Sequence, residues 1–476
     1  MTSAASPSTN QSNLQDHKSS TPSKPEKLKV ALVCDWLTSV GGAERVLLEF
    51  HKLYPKAPIY TSQYSEKGID WFKDADIRTG WLQIFPICLR RFIAPLRQRY
   101  FSHLDLTDYD LVISVTGAEA KSVRTKPTTT KPPSSKTEHS AKNRTPFSTT
   151  RGKTIHLCFC HVPTQYYWEL YDDYLKHPGF GILDPLARLA LKIFIKPLKK
   201  ADYRSAQLPD YYITISHYAA AQIKKYYHRE SHLIYPPVDV KKFSPEKVKS
   251  AGKQILKSPP EKVKSAGKQA SKSSAIQEKS PAIQQKSASK SSLSGFFVTT
   301  SRQVTWKRLD LCIAACVKTQ NNLILIGSGP EHHHLVKLAR ALQPSAPERK
   351  TSLSHTIGCI TFLPQATQSR LKPYLENAKG YLFPSKEPFG IAPVEALAAG
   401  CPVIAFKEGG APDYIQPGKN GLLFPCQTVD SLVSALHQFQ LLEFNRIAIS
   451  ESARPFATEI FIKQVKEYLR DILADH

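Results

Sequence analysis

The chain has 476 residues, 41% hydrophobic, with 21 Gly, 35 Pro, 9 Cys and a formal net charge of +25. That length exceeds what one core usually supports, so two domains with some unfolded connecting material are expected. No apolar run reaches the roughly 18 residues that a spanning helix needs, which argues against a membrane-embedded protein.

The first 27 residues are polar, rich in Ser, Thr and Pro, and lack the apolar centre of a secretory signal, so a disordered tail and a cytoplasmic location are expected. Cysteines are scattered without a C-x-x-C pair and read as buried reduced thiols. Ordered pattern begins at LKVALVCDW, a run suited to a strand buried on both faces of a parallel sheet. A glycine pair, Gly41 and Gly42, then opens a helix with Val46, Leu47 and Phe50 on one face. Further strands are read at YDLVISV, TIHLCFCH and DYYITIS, alternating with helices as in a doubly wound sheet. The segment Phe85 to Phe101 mixes bulky apolar residues with arginines; it suits a helix lying on anionic lipid and equally a half-buried helical face.

Two stretches break the pattern. Lys121 to about Lys153 has almost no large apolar residues and reads as a disordered insertion in a first domain spanning 28–243. Residues 244–294 contain EKVKSAGKQ twice and read as a low-complexity linker. The stretches 121–153 and 241–290 carry roughly 18 of the net positive charges, leaving a folded remainder only mildly basic. Specific nucleic-acid binding is therefore not expected.

The second domain, 295–455, restarts at GFFVTTSRQ and continues through NLILIGSGPE, CITFLP, AKGYLFPS, GCPVIAF and NGLLFPC. Residues 456–476 form a last amphipathic helix, expected to pack back on the first domain. His332, His333 and His334 are consecutive, so on a helix they cannot converge on one metal ion.

The sharpest constellation is KEPFGIAPVEALAAG. Glu387 lies on the loop after a strand, Gly390 starts a helix and Glu395 lies further along it. Free amide groups at such a helix start form a ready phosphate site. Arg302 and Lys307, five residues apart after the second domain's first strand, supply cations suited to a departing diphosphate. No G-x-G-x-x-G follows the first strand and no G-x-x-x-x-G-K-[ST] occurs, which counts against nicotinamide enzymes and P-loop nucleotidases. His161 closes TIHLCFCH at the sheet's carboxyl edge; on the residues alone such a histidine is more often structural than functional, and Tyr166, Tyr167 and Trp168 are as readily core as sugar platform.

The string E-P-F-G-I-x-P-x-E-A-x-A-x-G resembles the E-x7-E element of the retaining glycosyltransferases of family four, and GGAE, CHVPTQYYW, YPPVD, SRQVTWKR and IGSGPE extend the resemblance through most of the chain. The wording is most similar to mannosyltransferase-type members of bacterial polysaccharide and lipid-linked glycan assembly. This resemblance implies the GT-B fold: α/β, with two Rossmann-like domains whose parallel sheets face each other across a cleft. It implies a nucleotide-sugar donor, usually GDP-mannose, and a glycan or lipid-linked acceptor, with peripheral contact at the inner face of the cytoplasmic membrane. Donor binding would fall to Arg302, Lys307, Gly327, Gly329, Glu387, Phe389, Gly390, Ile391 and Glu395. Catalytic roles would fall to Glu387, His161, Arg302 and Lys307, and Gly41 and Gly42 would line the acceptor or phosphate side. Neither cofactor nor metal is implied. A UDP-sugar donor, or a non-catalytic basic scaffold binding RNA or membrane, is the competing reading.

Overall fold

A computed structural model of the chain describes residues 28–87, 93–126, 154–176, 184–245, 295–351, 354–364 and 366–474. The expected tail, the bulk of the first insertion and nearly all of the linker lie outside these residues.

The first domain is a seven-stranded, wholly parallel sheet in the order β3-β2-β1-β4-β5-β6-β7. Its strands are β1 (Val30–Cys34), β2 (Ile59–Thr61), β3 (Ile77–Thr79), β4 (Leu111–Thr116), β5 (Ile155–Cys160), β6 (Tyr211–Thr214) and β7 (His232–Leu233). Every residue of β1, β4 and β5 is buried, as continuous apolar runs covered by helices on both faces require. Strand order reverses between β1 and β4, and such a switch point opens a crevice at the carboxyl ends of the two strands.

Eight strands form the second sheet: β8 (Phe296–Thr300), β9 (Asn322–Ile326), β10 (Glu348–Lys350), β11 (His355–Ile357), β12 (Ile360–Leu363), β13 (Gly380–Phe383), β14 (Val403–Phe406) and β15 (Gly421–Phe424). Their order is β10-β11-β12-β9-β8-β13-β14-β15, with a switch point between β8 and β13. The expectation of a purely parallel sheet needs correction at one edge, where β10, β11 and β12 pair antiparallel. β10 is exposed and held by Glu348, which bonds to both Arg340 and His355; this polar edge carries no apolar run for a sequence reading to find.

The domains are tied twice. Helix Val240–Phe243 ends the first domain, where Lys372 Nζ donates to Ser244 O at 2.8 Å. On the return, Val238 N donates to Phe456 O at 2.9 Å, and the last helix, Thr458–Ala474, packs on the first domain. There Phe461 meets Phe50 and Phe159 edge-on, at centroid distances of 6.1 and 5.9 Å.

Three further expectations change. Lys121 does not begin a disordered insertion: residues 120–122 form a 3-10 turn, and Lys121 is 1% exposed. Its Nζ donates to Asp202 Oδ1 at 2.7 Å and to Thr164 Oγ1 at 3.2 Å, so a polar-looking residue belongs to the core through its ion pair. In the segment Phe85 to Phe101, residues 88–92 lie outside the described ones, and the rest favours the half-buried face over the lipid-facing one. Its described helix starts at Ala94, and Arg97 is buried against Glu119 and the Trp36 ring. Of the cysteines, Cys426 is exposed and Cys359 half-buried; Cys88 lies outside the described residues.

Candidate functional site

A cleft of about 520 Å³ lies between the domains, where the two switch points face each other. From the first domain come Asp35 and Trp36 after β1, Gly42 at the following helix start, Gly117 after β4, His161 after β5 and Tyr166. The second domain contributes Arg302 and Trp306 after β8, then Glu387, Phe389, Gly390 and Ile391 after β13.

Sequence chemistry shapes the second-domain wall closely. Helix Ile391–Ala398 is capped by Gly390 at φ +89°, a conformation that favours glycine. A Cβ there would sit 2.6 Å from Phe383 Cζ, so the position is also closed by packing. Tyr414 Oη donates to Phe389 O at 2.8 Å, and Gly410 N to Glu387 O at 2.8 Å, fixing the loop from below. Glu387 accepts from Ser385 Oγ at 2.8 Å and forms an ion pair with Lys307. Lys307 Nζ also lies 4.6 Å from the Trp306 ring centroid. The exposed Arg302 makes no ion pair among the described residues. A helix amino terminus, an unpaired guanidinium and Glu387 thus share one wall, while Lys307, paired with Glu387, is not itself among the lining residues; the two cations and the helix start suit a polyanion.

Across the cleft, His161 packs edge-on against Phe159 at 5.5 Å. Burial lowers its pKa to about 4, so the ring is neutral at pH 7. Its Nε2 has no hydrogen-bond partner within the described structure. Asp35 is buried and accepts from Thr116 Oγ1 at 2.9 Å, Ala120 N at 2.8 Å and Gly117 N at 3.1 Å. Burial, reinforced by Glu119, pushes its carboxyl above the ordinary range against the pull of those bonds. Tyr166 reaches the cleft beside a buried Arg97–Glu119 pair, to which its hydroxyl donates.

Several sequence-derived assignments are placed differently. Glu395 does not line the cleft; it is buried and bonded to Arg45 Nη1 of the first domain at 2.8 Å. Gly327, at φ +139°, and Gly329 are not among the lining residues either. A Cβ at each would lie 2.0 Å from Ser301 O and 2.3 Å from Gln303 O, so these glycines let two loops cross. Gly41 caps helix Gly42–Leu53, and Gly42 faces Ile391, whose Cδ1 would lie 3.2 Å from an added Cβ. Trp168 stacks on Tyr226 and donates Nε1 to Asp202, which leaves Tyr166 as the aromatic of that run facing the cleft. Asp35, Trp36 and Tyr414 were missed. For Asp35 the signal was present, an acid closing an otherwise apolar strand. The domains also meet directly: Lys386 Nζ is 2.9 Å from Glu169, and His217 N donates to Asp413 at 2.9 Å. Among the described residues no group of three or more His, Cys, Asp or Glu is placed to hold a metal ion.

Residues 282–455 match the family model described as glycosyl transferases group 1. The second half of the chain carries a glycosyl transferases group 1 domain. This domain contains Arg302, Lys307 and the whole loop from Glu387 to Ile391. A D-inositol 3-phosphate glycosyltransferase of Streptomyces bingchenggensis is 35% identical over 96 residues, 19% of this chain and 21% of that protein. A GDP-mannose-dependent alpha-(1-6)-phosphatidylinositol monomannoside mannosyltransferase of Mycobacterium tuberculosis is 27% identical over 177 residues, 34% of this chain and 42% of that protein. The chain thus spans well under half the length of these curated relatives. In fold, the whole molecule is similar to Anabaena HepE, solved with UDP and glucose, with a TM-score of 0.54 at 16% identity, covering 93% of this chain and all of that one. At that identity the likeness establishes the fold, GT-B, and nothing finer.

Proposed function

We propose that the chain is a retaining glycosyltransferase that moves a sugar from a nucleotide-sugar to a glycan or lipid-linked acceptor, with GDP-mannose as donor. The observation that carries this reading is the convergence of Arg302, Glu387 and the Gly390-capped helix start on one wall, opposite His161, with Lys307 paired to that Glu387. A nucleoside diphosphate seated there has its charge met by fixed donors, which act most strongly on the charge that develops as the glycosidic bond breaks. Glu387, steadied by Ser385, faces the cleft as an acceptor for sugar hydroxyls, and its ion pair holds Lys307 in place until the diphosphate arrives. His161, neutral with a free Nε2, offers a hydrogen bond to the sugar from the opposite side.

In the reaction the bond from the anomeric carbon to the diphosphate oxygen breaks. The bond to the acceptor oxygen forms on the same face, and the acceptor proton passes to the leaving diphosphate. On this reading the two cations and the helix dipole do the neutralising that a metal does elsewhere. The GDP-mannose preference is supported by the similarity to the GDP-mannose-dependent mannosyltransferase of Mycobacterium tuberculosis, and a UDP-sugar donor by HepE, whose complex contains UDP.

Calorimetric titration with GDP, UDP, GDP-mannose and UDP-glucose tests both donors. One nucleotide should bind, Arg302→Ala and Lys307→Ala should each lower turnover by roughly 10²–10³, and NMR should show the donor's anomeric configuration in the product. A folded chain that binds none of the four defeats the proposal.

A further inference from the structure

A second cavity, of about 350 Å³, opens on the first domain and is lined by Trp81, Arg99, Tyr100, His103 and Leu104, none of which lines the cleft. Small-ligand sites of this size combine aromatic and apolar walls with a few placed polar groups. Trp81 begins the 3-10 turn Trp81–Ile84 that follows β3, and helix Ala94–His103 with Leu104 after it supplies the rest. Local bonds hold these walls still. Gln83 N donates to Gly80 O at 3.0 Å, and the Gln83 side chain exchanges two bonds with the Tyr64 backbone, at 2.8 and 3.0 Å. Gln63 Nε2 donates to Phe85 O at 2.8 Å. The Trp81 ring meets Phe85 edge-on at 6.2 Å and remains 47% exposed. Gly80 makes room for Tyr100: an added Cβ would lie 2.2 Å from Tyr100 Cε2, so any side chain there would push the ring out of the wall. His103 Nδ1 lies 2.7 Å from Arg99 O; a carbonyl only accepts, so in the neutral ring Nδ1 carries the proton and Nε2 keeps its lone pair. Arg99 is exposed and makes no ion pair among the described residues.

We propose that this cavity is a glycan-binding site separate from the cleft, in which the C–H face of a hexopyranose lies on the Trp81 indole and its hydroxyls bond to Arg99 and His103. An aromatic face is negative and attracts the weakly positive C–H groups of a sugar ring. A guanidinium that only donates, beside an imidazole nitrogen that accepts, matches neighbouring hydroxyls, each of which does both. The same accepting nitrogen counts against a fully ionised anion such as sulfate, which has no proton to give it. Position gives the site a use. The helix that lines the cavity also carries Arg97, whose guanidinium carbon lies 5.0 Å from the ring centroid of the cleft residue Trp36. Cavity and cleft therefore border one helix, about 15 Å long, and a glycan gripped at the first stays beside the second while its end is extended. This use, though not the binding, rests on the transferase reading.

Saturation-transfer NMR on the full chain tests it, with mannotriose and maltotriose as probes and inorganic sulfate as competitor. At least one trisaccharide should bind, and sulfate should not displace it. Trp81→Ala and the pair Arg99→Met/His103→Leu should each weaken that binding at least roughly tenfold, while thermal midpoint and nucleotide titration stay unchanged. The cleft also has room for sugars, so the variants decide rather than the parent. Binding of neither trisaccharide, or binding undiminished by Trp81→Ala or by the pair, overturns the proposal. So does displacement by sulfate, because the cavity then holds an anion. Nucleotide titration reads the transferase proposal separately: trisaccharide bound at Trp81 with no nucleotide bound keeps this site and defeats that reading, and the converse result does the reverse.

Discussion

Lys121→Met removes one charge from the most deeply buried ion pair on the first domain's helical side. Lys121 and Asp202 are each 1% exposed, with Nζ and Oδ1 2.7 Å apart. Burial alone would pull the lysine's pKa down; Asp202 outweighs it and the pKa is raised. Breaking a buried pair by removing one partner costs about 3–5 kcal/mol, because the other charge is left uncompensated. Asp202 keeps three donors, Thr164 Oγ1 at 2.8 Å, Trp168 Nε1 at 2.7 Å and Tyr227 Oη at 2.8 Å, which hold the cost near the lower end. The expected loss is therefore about 3 kcal/mol at neutral pH, read by urea denaturation with Trp168, bonded to Asp202, as fluorescent reporter. A loss below about 1 kcal/mol would refute the reasoning, since that is the range of an exposed pair. The companion comparison is a chain lacking 127–153 against one lacking 121–153: the first should fold, the second should not.

Gly390→Ala should destabilise the loop by about 1–3 kcal/mol through its positive φ and weaken nucleotide binding at least tenfold, as the helix start shifts; unchanged affinity in the titration would remove that helix from the donor site. Burial lowers the pKa of His156 to about 3, so its contribution to stability is complete above pH 6.5 and is lost as pH falls through 3. That contribution is on the order of 4 kcal/mol, and His156→Gln should flatten the pH dependence of unfolding across this window, while an unaltered slope would assign the acid lability elsewhere. Arg45→Met removes the cross-domain bond to Glu395 and should lower the thermal midpoint by about 2–4 °C; an unchanged midpoint would mean that this pair does not help hold the domains together.

The strands were legible because both sheets are buried on two faces: VALVC, LVISV and GYLF announce themselves without tertiary information. Glu387, Gly390, Arg302 and His161 were legible too, as residues at strand ends where a switch point gathers loops. What stayed hidden was made by distance in sequence. Lys121 looks like the start of a basic, Thr-rich stretch until Asp202, 81 residues on, gives it a partner. Glu395 looks like a ligand residue until Arg45, 350 residues away, takes its carboxylate. The antiparallel edge was hidden for the opposite reason, since β10 is exposed along its length and carries no apolar periodicity.

The last helix has a consequence for how the molecule can be taken apart. Because Thr458–Ala474 completes the first domain's core against Phe50 and Phe159, a single cut in the linker yields no self-sufficient first half. The fragment ending at Ser244 would leave that aromatic seam open to water, and the fragment beginning at Gly295 would carry an unpaired amphipathic helix. Separate production of the two lobes calls for two cuts and one graft, with the last helix fused to the first lobe, and a split reporter placed in the linker would reassemble through that helix as well as through the cleft.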